Sequence, residues 1–394
     1  MCSVRVLIVA LATTTALAAA AVQDWPTCPL EAVFRPMLNE SEKVVRDPYG
    51  DFDTTGAWSY FVPREARDVN VTFRWWFPTS SEHWPSTPLI VPADYAGDVP
   101  GERLGDANLT VVCHGLPPRL RSRADALVYS LLERRPEGAL LEVEWNIVSG
   151  CEYASAVRSD VYYCPPLKGP TEITLYQQAA GDSRLVARAL SRALTGLVFD
   201  HGYDLARVHL LGFGVGAHVV GFVASDLHVI SEFGRLTLLD PAAPLFVEKL
   251  GLAHLNASGR ARVSEAVHTS AAEACGLGIA NRLADLDVYV DGGERQPQCH
   301  PNYLCSHIWA LYYYTRTVER CTGGGVSETG LLPGYWTPEK RGVYNVSMRK
   351  LTCPAVGVSA PSLGSEQSSR AAPMCVQCLY AWSLVALAFF AAPR

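Results

Sequence analysis

One short segment of the sequence has the glycine spacing that a strained nucleophilic turn requires. Residues Val208–His218 (VHLLGFGVGAH) form an apolar run that leads through a glycine-flanked turn into a second apolar run. A strand, a sharp turn and a helix in this order make a nucleophile elbow, in which a serine at the tip attacks a carbonyl carbon. In this chain the residue at the tip is Gly214. The segment Val208–Ala224 contains no Ser, Thr or Cys, and the pattern Gly-x-Ser-x-Gly occurs nowhere else in the chain. The sequence therefore predicts the scaffold of a nucleophilic site without its nucleophile.

The elements that must position this segment alternate between strands and helices. Apolar residues at i, i+3 and i+4 spacing predict a helix over Leu185–Val198, and the mostly apolar stretch Val215–Leu227 is interpreted as a second helix. Alternating strands and helices indicate an α/β fold with a mostly parallel sheet, whose chemistry lies at the carboxyl ends of the strands. Short β-branched or leucine-rich runs predict the strands, at residues 109–113, 140–143, 208–211, 236–239 and 286–290.

Composition narrows the function classes further. The chain has 394 residues, of which 49% are hydrophobic and 18% charged, and its net charge is −6. The apolar content excludes a disordered chain. An acidic balance without a basic block argues against nucleic acid as a partner.

Three further motifs occur in order around the elbow. They are Leu109–Leu116 (LTVVCHGL), Leu238–Phe246 (LLDPAAPLF), and Gly292–Cys299 (GGERQPQC) followed by Cys305–His307 (CSH). With these motifs, the stretch from Ala107 to Pro354 resembles the animal pancreatic-lipase family, including its phospholipase A1 branch. The resemblance implies a lipase-type α/β-hydrolase domain with a mostly parallel central sheet.

The resemblance also assigns roles to individual residues. It implies that Asp240 is the acid and His307 the base of a catalytic triad, with Gly214 at the vacant nucleophile position. The backbone N–H groups of Leu116 and Val215 would form the oxyanion hole. Without the resemblance, Asp240 would be interpreted as a turn aspartate before a proline, and His307 as an ordinary histidine that opens a helix.

Several features depart from the family pattern. The lid between Cys299 and Cys305 has five residues, so a disulfide between these cysteines would leave no hinged flap. Leu252–Val263 lacks Asp and Glu where the family binds calcium, so we predict no metal, and we expect no cofactor. Arg341–Val346 resembles the closing strand of the domain, and we expect no C-terminal β-sandwich domain.

The two ends of the chain are interpreted as targeting segments. Residues 1–21 have the pattern of a signal peptide with cleavage near residues 20–22, and 22–356 would be the lipase-like domain. Residues 357–373 would be a polar stalk and 374–394 a hydrophobic tail, which is either a glycolipid-anchor signal or a transmembrane helix. These segments predict the secretory pathway and an extracellular, cell-surface or virion-surface location. Five sequons predict a glycoprotein, at Asn39, Asn70, Asn108, Asn256 and Asn345.

The sequence has 12 cysteines, most of which should pair in an oxidising compartment. Cys113 lies in an apolar strand and could stay a free thiol. Besides the lid pair, we expect Cys321 to pair with Cys353, and Cys28 with Cys275 by elimination. A loop closed by Cys151 and Cys164 would present three tyrosines, which are equally interpreted as a contact surface or as loop packing.

The favoured interpretation is a lipase-like glycoprotein that has lost catalysis, like the insect yolk proteins and the lipase-homologue glycoproteins of avian viruses. It would bind a lipid or a cell-surface protein, and its C-terminal tail would attach it to a membrane. The alternative is an active carboxylic ester hydrolase that acts on phospholipid or acylglycerol, with His307 activating water beside Gly214. Loss of a serine nucleophile lowers turnover by about 10⁶-fold, which favours the first interpretation.

Overall fold

The computed structural model describes residues 34–38, 43–78, 87–95, 99–116, 120–134, 138–147, 170–272, 276–299, 302–322, 332–337, 341–349 and 351–354. The chain divides into two compact units, Met1–Pro354 and Ala355–Arg394, and all described residues belong to the first. The expected signal peptide, stalk and hydrophobic tail lie outside the described residues, as do Asn39 and the expected pairs Cys28–Cys275 and Cys151–Cys164. Among the helices that are described, none combines the length and the apolar character needed to cross a bilayer.

A nine-stranded sheet forms the centre of the first unit. Its strands are β3 (Thr72–Trp76), β4 (Leu89–Pro92), β5 (Leu109–His114), β6 (Ala139–Glu144), β7 (Val208–Phe213), β8 (Phe233–Leu239), β9 (Ala261–His268), β10 (Leu286–Val290) and β11 (Gly342–Val346). Their order is β11-β10-β9-β8-β7-β5-β6-β3-β4. The strands from β11 to β6 are parallel, and β3 and β4 add antiparallel strands at one edge. Strands β1 (Val44–Arg46) and β2 (Gly50–Phe52) form a separate hairpin.

Six α-helices accompany these strands in the described part of the chain. They are α1 (Ala66–Val69), α2 (Arg121–Arg134), α3 (Pro170–His201), α4 (Val215–Leu227), α5 (Phe246–Leu250) and α6 (Tyr303–Val318). Helix α4 follows β7 directly, so Gly214 alone separates the central strand from its helix. The predicted α/β-hydrolase class, with its mostly parallel sheet, is confirmed.

Neighbouring residues of the central strands point to opposite faces of the sheet and build two cores. Val111 and Leu210 pack with apolar residues of α3 and α4 on one face. Val112 and Leu211 pack with α2 and α6 on the other face. This is the two-residue period of a strand that is covered on both sides, and it explains why β7 reads as an unbroken apolar run. The site therefore lies where two well-packed layers hold the carboxyl ends of the strands.

Candidate active site

Gly214 has the backbone conformation of a sharp elbow. Its φ is 58° and its ψ −119°, a region that residues with a Cβ rarely adopt. The turn is held from two sides, because the Gly214 N–H donates to the Leu239 carbonyl (3.0 Å) and the Gly214 carbonyl accepts from the Ala242 N–H (3.2 Å). The elbow is thus tied to the loop that follows β8.

The flanking glycines are required by close backbone approach. A Cβ on Gly216 would overlap the carbonyl oxygen of Cys113, and a Cβ on Gly212 would overlap the backbone of α4. A Cβ on Gly115 would lie 2.7 Å from the Val215 nitrogen. The structure therefore supports the steric reason for the glycine spacing, with strands β5 and β7 and helix α4 packed backbone to backbone.

Asp240 follows β8 in a left-handed conformation (φ 39°) and is fully buried. Its Oδ1 accepts from the backbone N–H groups of Thr269 (2.7 Å) and Ser270 (3.1 Å). Its Oδ2 accepts from the Ser270 hydroxyl and from Nδ1 of His307 (2.7 Å). Four donors therefore surround this one carboxyl and hold it in place. A Cβ on Gly278 would collide with this carboxyl, so glycine is needed there as well.

His307 lies in the second turn of α6, which begins after the N-cap Asn302. The Asn302 side chain accepts from the Cys305 N–H (3.0 Å), and a disulfide joins Cys305 to Cys299. The His307 ring packs against Phe213 with 4.6 Å between ring centroids, and the residue is 8% exposed. These contacts fix the imidazole beside Asp240, although the two residues are 67 positions apart.

The other edge of the imidazole points at Gly214. An ideal Cβ on Gly214 would lie 2.9 Å from His307 Nε2 and 3.5 Å from Cε1, and apart from its chain neighbours Phe213 and Val215 no other described residue comes within 4 Å. In an active triad, a serine Cβ would lie roughly 3.5 Å from Nε2 for its hydroxyl to donate at about 2.8 Å. The imidazole therefore lies closer to the elbow than an active triad requires, and it occupies part of the space that a serine side chain would fill.

The residues expected to form the oxyanion hole belong to the two segments that meet at the elbow. Leu116 follows β5, and Val215 is the first residue of α4, where backbone N–H groups have no intrahelical partner. Both residues are buried, at 4% and 7% exposure. The Gly115 N–H donates to the Phe213 carbonyl (3.0 Å), which joins the two segments at the elbow.

Sequence reasoning missed the groups that support the Asp240–His307 pair. Thr269 and Ser270 follow β9, a strand without a clean apolar run, so the apolar pattern did not identify this segment. Had β9 been identified as the neighbour of β8, the position of these residues after its carboxyl end would have marked them as candidates. The Ser270 hydroxyl lies 3.5 Å from Nδ1 of His307, on the opposite side of the ring from Gly214. It donates to Asp240 and does not replace the missing nucleophile.

A buried histidine pair on α4 was also missed. His218 Nε2 donates to the Ala242 carbonyl (2.7 Å), so its Nδ1 accepts from His254 Nε2 (2.8 Å). The His218 ring stacks on Phe246 with 3.5 Å between centroids. Burial lowers the pKa of His218 well below its usual range and lowers that of His254 to about 4. Both rings are therefore neutral at pH 7 and tie α4 to the loop that carries Asp240.

The remaining expectations about the site concern thiols, glycans and metals. Cys321 is paired with Cys353, whereas Cys113 is free and buried, and burial raises the pKa of its thiol. Four sequon asparagines are described and exposed, namely Asn70, Asn108, Asn256 and Asn345. In the described part of the chain, one group of potential metal ligands was found, Glu319 with Cys321 and Cys353. Its two thiols are consumed by the disulfide.

Comparison with known proteins relates this geometry to one family. Residues 169–321, from α3 to just beyond the end of α6, match the family model described as Lipase. This part of the chain is therefore similar to the lipase family. It is similar to hepatic triacylglycerol lipase of Bos taurus (36% identity over 148 residues, 36% of this chain and 29% of that protein). It is also similar to phospholipase A1 of Dinoponera quadriceps (31% identity, covering 39% of this chain and 40% of that protein).

A longer alignment is found with pancreatic triacylglycerol lipase of Mus musculus, at 26% identity over 226 residues, covering 52% of this chain and 46% of that protein. The chain thus spans less than half the length of these relatives. Among solved structures, a thermostable carboxylesterase from a metagenomic library aligns with a TM-score of 0.24 and 13% identity. That alignment covers 54% of this chain and 50% of the esterase.

Proposed function

We propose that this chain is a catalytically inactive lipase homologue of the secretory pathway that binds a lipid at its vacant elbow. One observation carries the proposal. Gly214 keeps the elbow conformation and faces an intact His307–Asp240 pair, but it supplies no oxygen for attack on an ester. Without that oxygen, an acyl group has no side chain at the elbow to be transferred to.

The retained polar pair supports binding as the remaining role of the site. His307 and Asp240 keep a hydrogen bond of 2.7 Å although Gly214 offers no hydroxyl for them to activate. The imidazole also stays directed at the elbow, with Nε2 2.9 Å from the Gly214 Cβ position. A site that keeps its polar groups in this arrangement can still contact a ligand.

A second candidate function rests on the orientation of the imidazole. His307 Nε2 faces the vacancy and, within the described residues, has no hydrogen-bond partner. A water molecule in this space would lie within reach of the base, and slow hydrolysis by that water would follow. This activity requires His307 and would be abolished by His307→Ala.

The proposal includes a location and a way of attachment. We infer a secreted or surface glycoprotein, with glycans on the exposed sequon asparagines and a C-terminal tail that attaches the chain to a membrane. A cell-surface protein is the alternative partner to a lipid.

Two measurements on the glycosylated chain test the proposal. Native mass spectrometry should find a co-purifying lipid, whose release lowers the mass of the complex. A fluorophosphonate probe, which labels activated serines, should leave the protein unlabelled. Stoichiometric labelling would contradict the inactive assignment, and a lipid-free protein that binds no added lipid would contradict the binding role.

A further inference from the structure

A cavity of about 220 Å³ lies at the amino ends of the central strands. It is lined by the first residues of β5, β6, β7 and β8, by Leu131 and Leu132 of α2, and by Tyr335. The elbow lies at the carboxyl ends of the same strands, so the cavity is separate from the candidate active site. Sites for drug-sized ligands measure about 300–1,000 Å³, and this cavity therefore suits a single ring-sized group.

Asn108, the acceptor of a predicted glycosylation sequon, lines this cavity and is exposed. It directly precedes β5, and its carbonyl accepts from the Ala139 N–H (2.7 Å) at the start of β6. Side chains two positions apart on a strand share a face, so Asn108 and Thr110 lie on the face of Val112. Val112 belongs to the core that contains α2, whose Leu131 and Leu132 line the cavity. The Asn108 side chain is therefore on the cavity side of the sheet.

The cavity lining combines an aromatic ring with polar groups that are held in place. Tyr335 is 8% exposed, and its ring centroid lies 5.9 Å from that of His209 and 6.0 Å from the Arg235 guanidinium carbon. Arg235 itself donates to Glu265 (2.7 Å) and to the Gly334 carbonyl (2.7 Å). Binding sites use such apolar and aromatic walls with a few fixed polar groups. A sugar ring matches this lining, because it offers C–H groups on its faces and hydroxyl groups on its edges.

We propose that the cavity holds the innermost N-acetylglucosamine of a glycan on Asn108. The proposal rests on the proposed glycosylation and gives this glycan a place in the fold. The first sugar is bonded to the asparagine amide nitrogen, so its ring begins at the cavity lining. A short tether gives an effective concentration in about the millimolar range, and a weak contact is then enough to seat the sugar. Of the four described sequon asparagines, Asn108 alone lines the cavity.

Removal of individual glycans from the folded protein tests the seat. Peptide N-glycosidase F cleaves the bond between asparagine and the first sugar, so it acts only when that sugar has left the cavity. The release of glycan from Asn108 and from Asn345 is followed by mass spectrometry of peptides. Asn345 is the matched site, because it is exposed on β11 and does not line the cavity. We expect release from Asn108 to be on the order of 10-fold slower, since cleavage follows the population of the open form.

Two variants locate the effect. Tyr335→Ala removes the ring from the cavity wall and should bring the two release rates together, whereas Tyr335→Phe keeps the ring and should keep the difference. In the urea-unfolded chain both sites should react alike.

Each contrary result has its own meaning. Equal release from the folded wild-type chain would overturn the seat and leave the glycoprotein assignment standing. A difference that survives in a folded Tyr335→Ala variant would overturn the role of this cavity. An Asn108 that carries no glycan would overturn both the seat and the glycosylation of this site.

Discussion

Gly214 combines a conformation that favours glycine with a contact that resists a larger side chain. Its φ of 58° would strain any residue with a Cβ, and His307 Nε2 lies 2.9 Å from the Cβ position. Relief of elbow strain is worth on the order of 1–3 kcal/mol. At the scale of the residue, glycine at this position avoids the strain that a serine would bear.

We therefore expect Gly214→Ser to lower the melting temperature. Each kcal/mol of lost stability should lower Tm by roughly 1–2 °C for a domain of this size, measured by differential scanning calorimetry. In a His307→Ala background the imidazole contact is gone and only the backbone strain remains, so the same substitution should cost less. An unchanged or higher Tm for Gly214→Ser would count against the strained elbow.

The buried histidine pair predicts a loss of stability in acid. The pKa of His254 is lowered to about 4, whereas an exposed histidine titrates near 6.5. Between pH 4 and pH 6.5, the His254 imidazole is therefore mostly protonated in the unfolded chain and mostly neutral in the folded chain. Stability is retained above about pH 6.5 and falls as the pH drops toward 4, by on the order of 3 kcal/mol.

Urea unfolding at pH 7 and pH 4.5 measures this effect. His254→Gln keeps a donor for Nδ1 of His218 but cannot take up a proton, so the difference between the two pH values should shrink. Groups that do not contact His254 contribute equally in both proteins and cancel in the comparison. An equal pH dependence in the variant would show that the pair is not its source.

At the scale of the elements, the elbow is defined by how closely β5, β7 and α4 approach one another. Gly216 lies inside α4, where alanine would ordinarily stabilise the helix by about 1 kcal/mol. A Cβ there would overlap the Cys113 carbonyl, which is backbone and cannot rotate away. Packing, and not helix propensity, decides the residue at this position.

Gly216→Ala should therefore destabilise the fold by about 3 kcal/mol, against the sign of helix propensity. The free energy of unfolding of the variant is measured by chemical denaturation. Gly202→Ala is the control, because Gly202 has a positive φ (66°) and open space around its Cβ position. That variant should lose only about 1 kcal/mol from backbone strain. A Gly216→Ala variant as stable as the wild type would mean that the strand and helix are less closely packed.

The same elements show what local sequence pattern predicts. The predicted strand 208–211 lies within β7, and the predicted helix Val215–Leu227 has the observed bounds, because continuous apolar runs specify both. Strand β9 was missed because charged side chains interrupt its pattern. Two of these, Glu265 and His268, are buried and paired with Arg235 and Asp287. Those partners are distant in sequence, so no local pattern reveals them.

In the candidate site, too, some residues could be identified from local sequence and others could not. Gly214 was identified from local spacing, whereas Asp240 and His307 were named only through the order of family motifs. Their contact spans 67 residues and depends on the register of several strands. Thr269 and Ser270, which hold Asp240 in place, carry no composition signal and required the structure.

At the scale of the whole molecule, the first compact unit is built around one mostly parallel sheet. Two apolar cores cover both faces of the nine-stranded sheet, and the Cys299–Cys305 and Cys321–Cys353 disulfides cross-link the chain after β10. The proposed binding function rests on this ordered scaffold together with a glycine at the tip of its elbow.

The rate at which the purified glycosylated chain hydrolyses a long-chain ester tests the central claim most directly. Release of fatty acid from such a substrate is measured for the wild-type protein and for His307→Ala. The loss of the nucleophile predicts turnover on the order of 10⁶-fold below that of serine lipases, with no acyl group attached to the protein. Turnover at the rate of an enzyme, with the acyl group trapped on a side chain, would contradict the account.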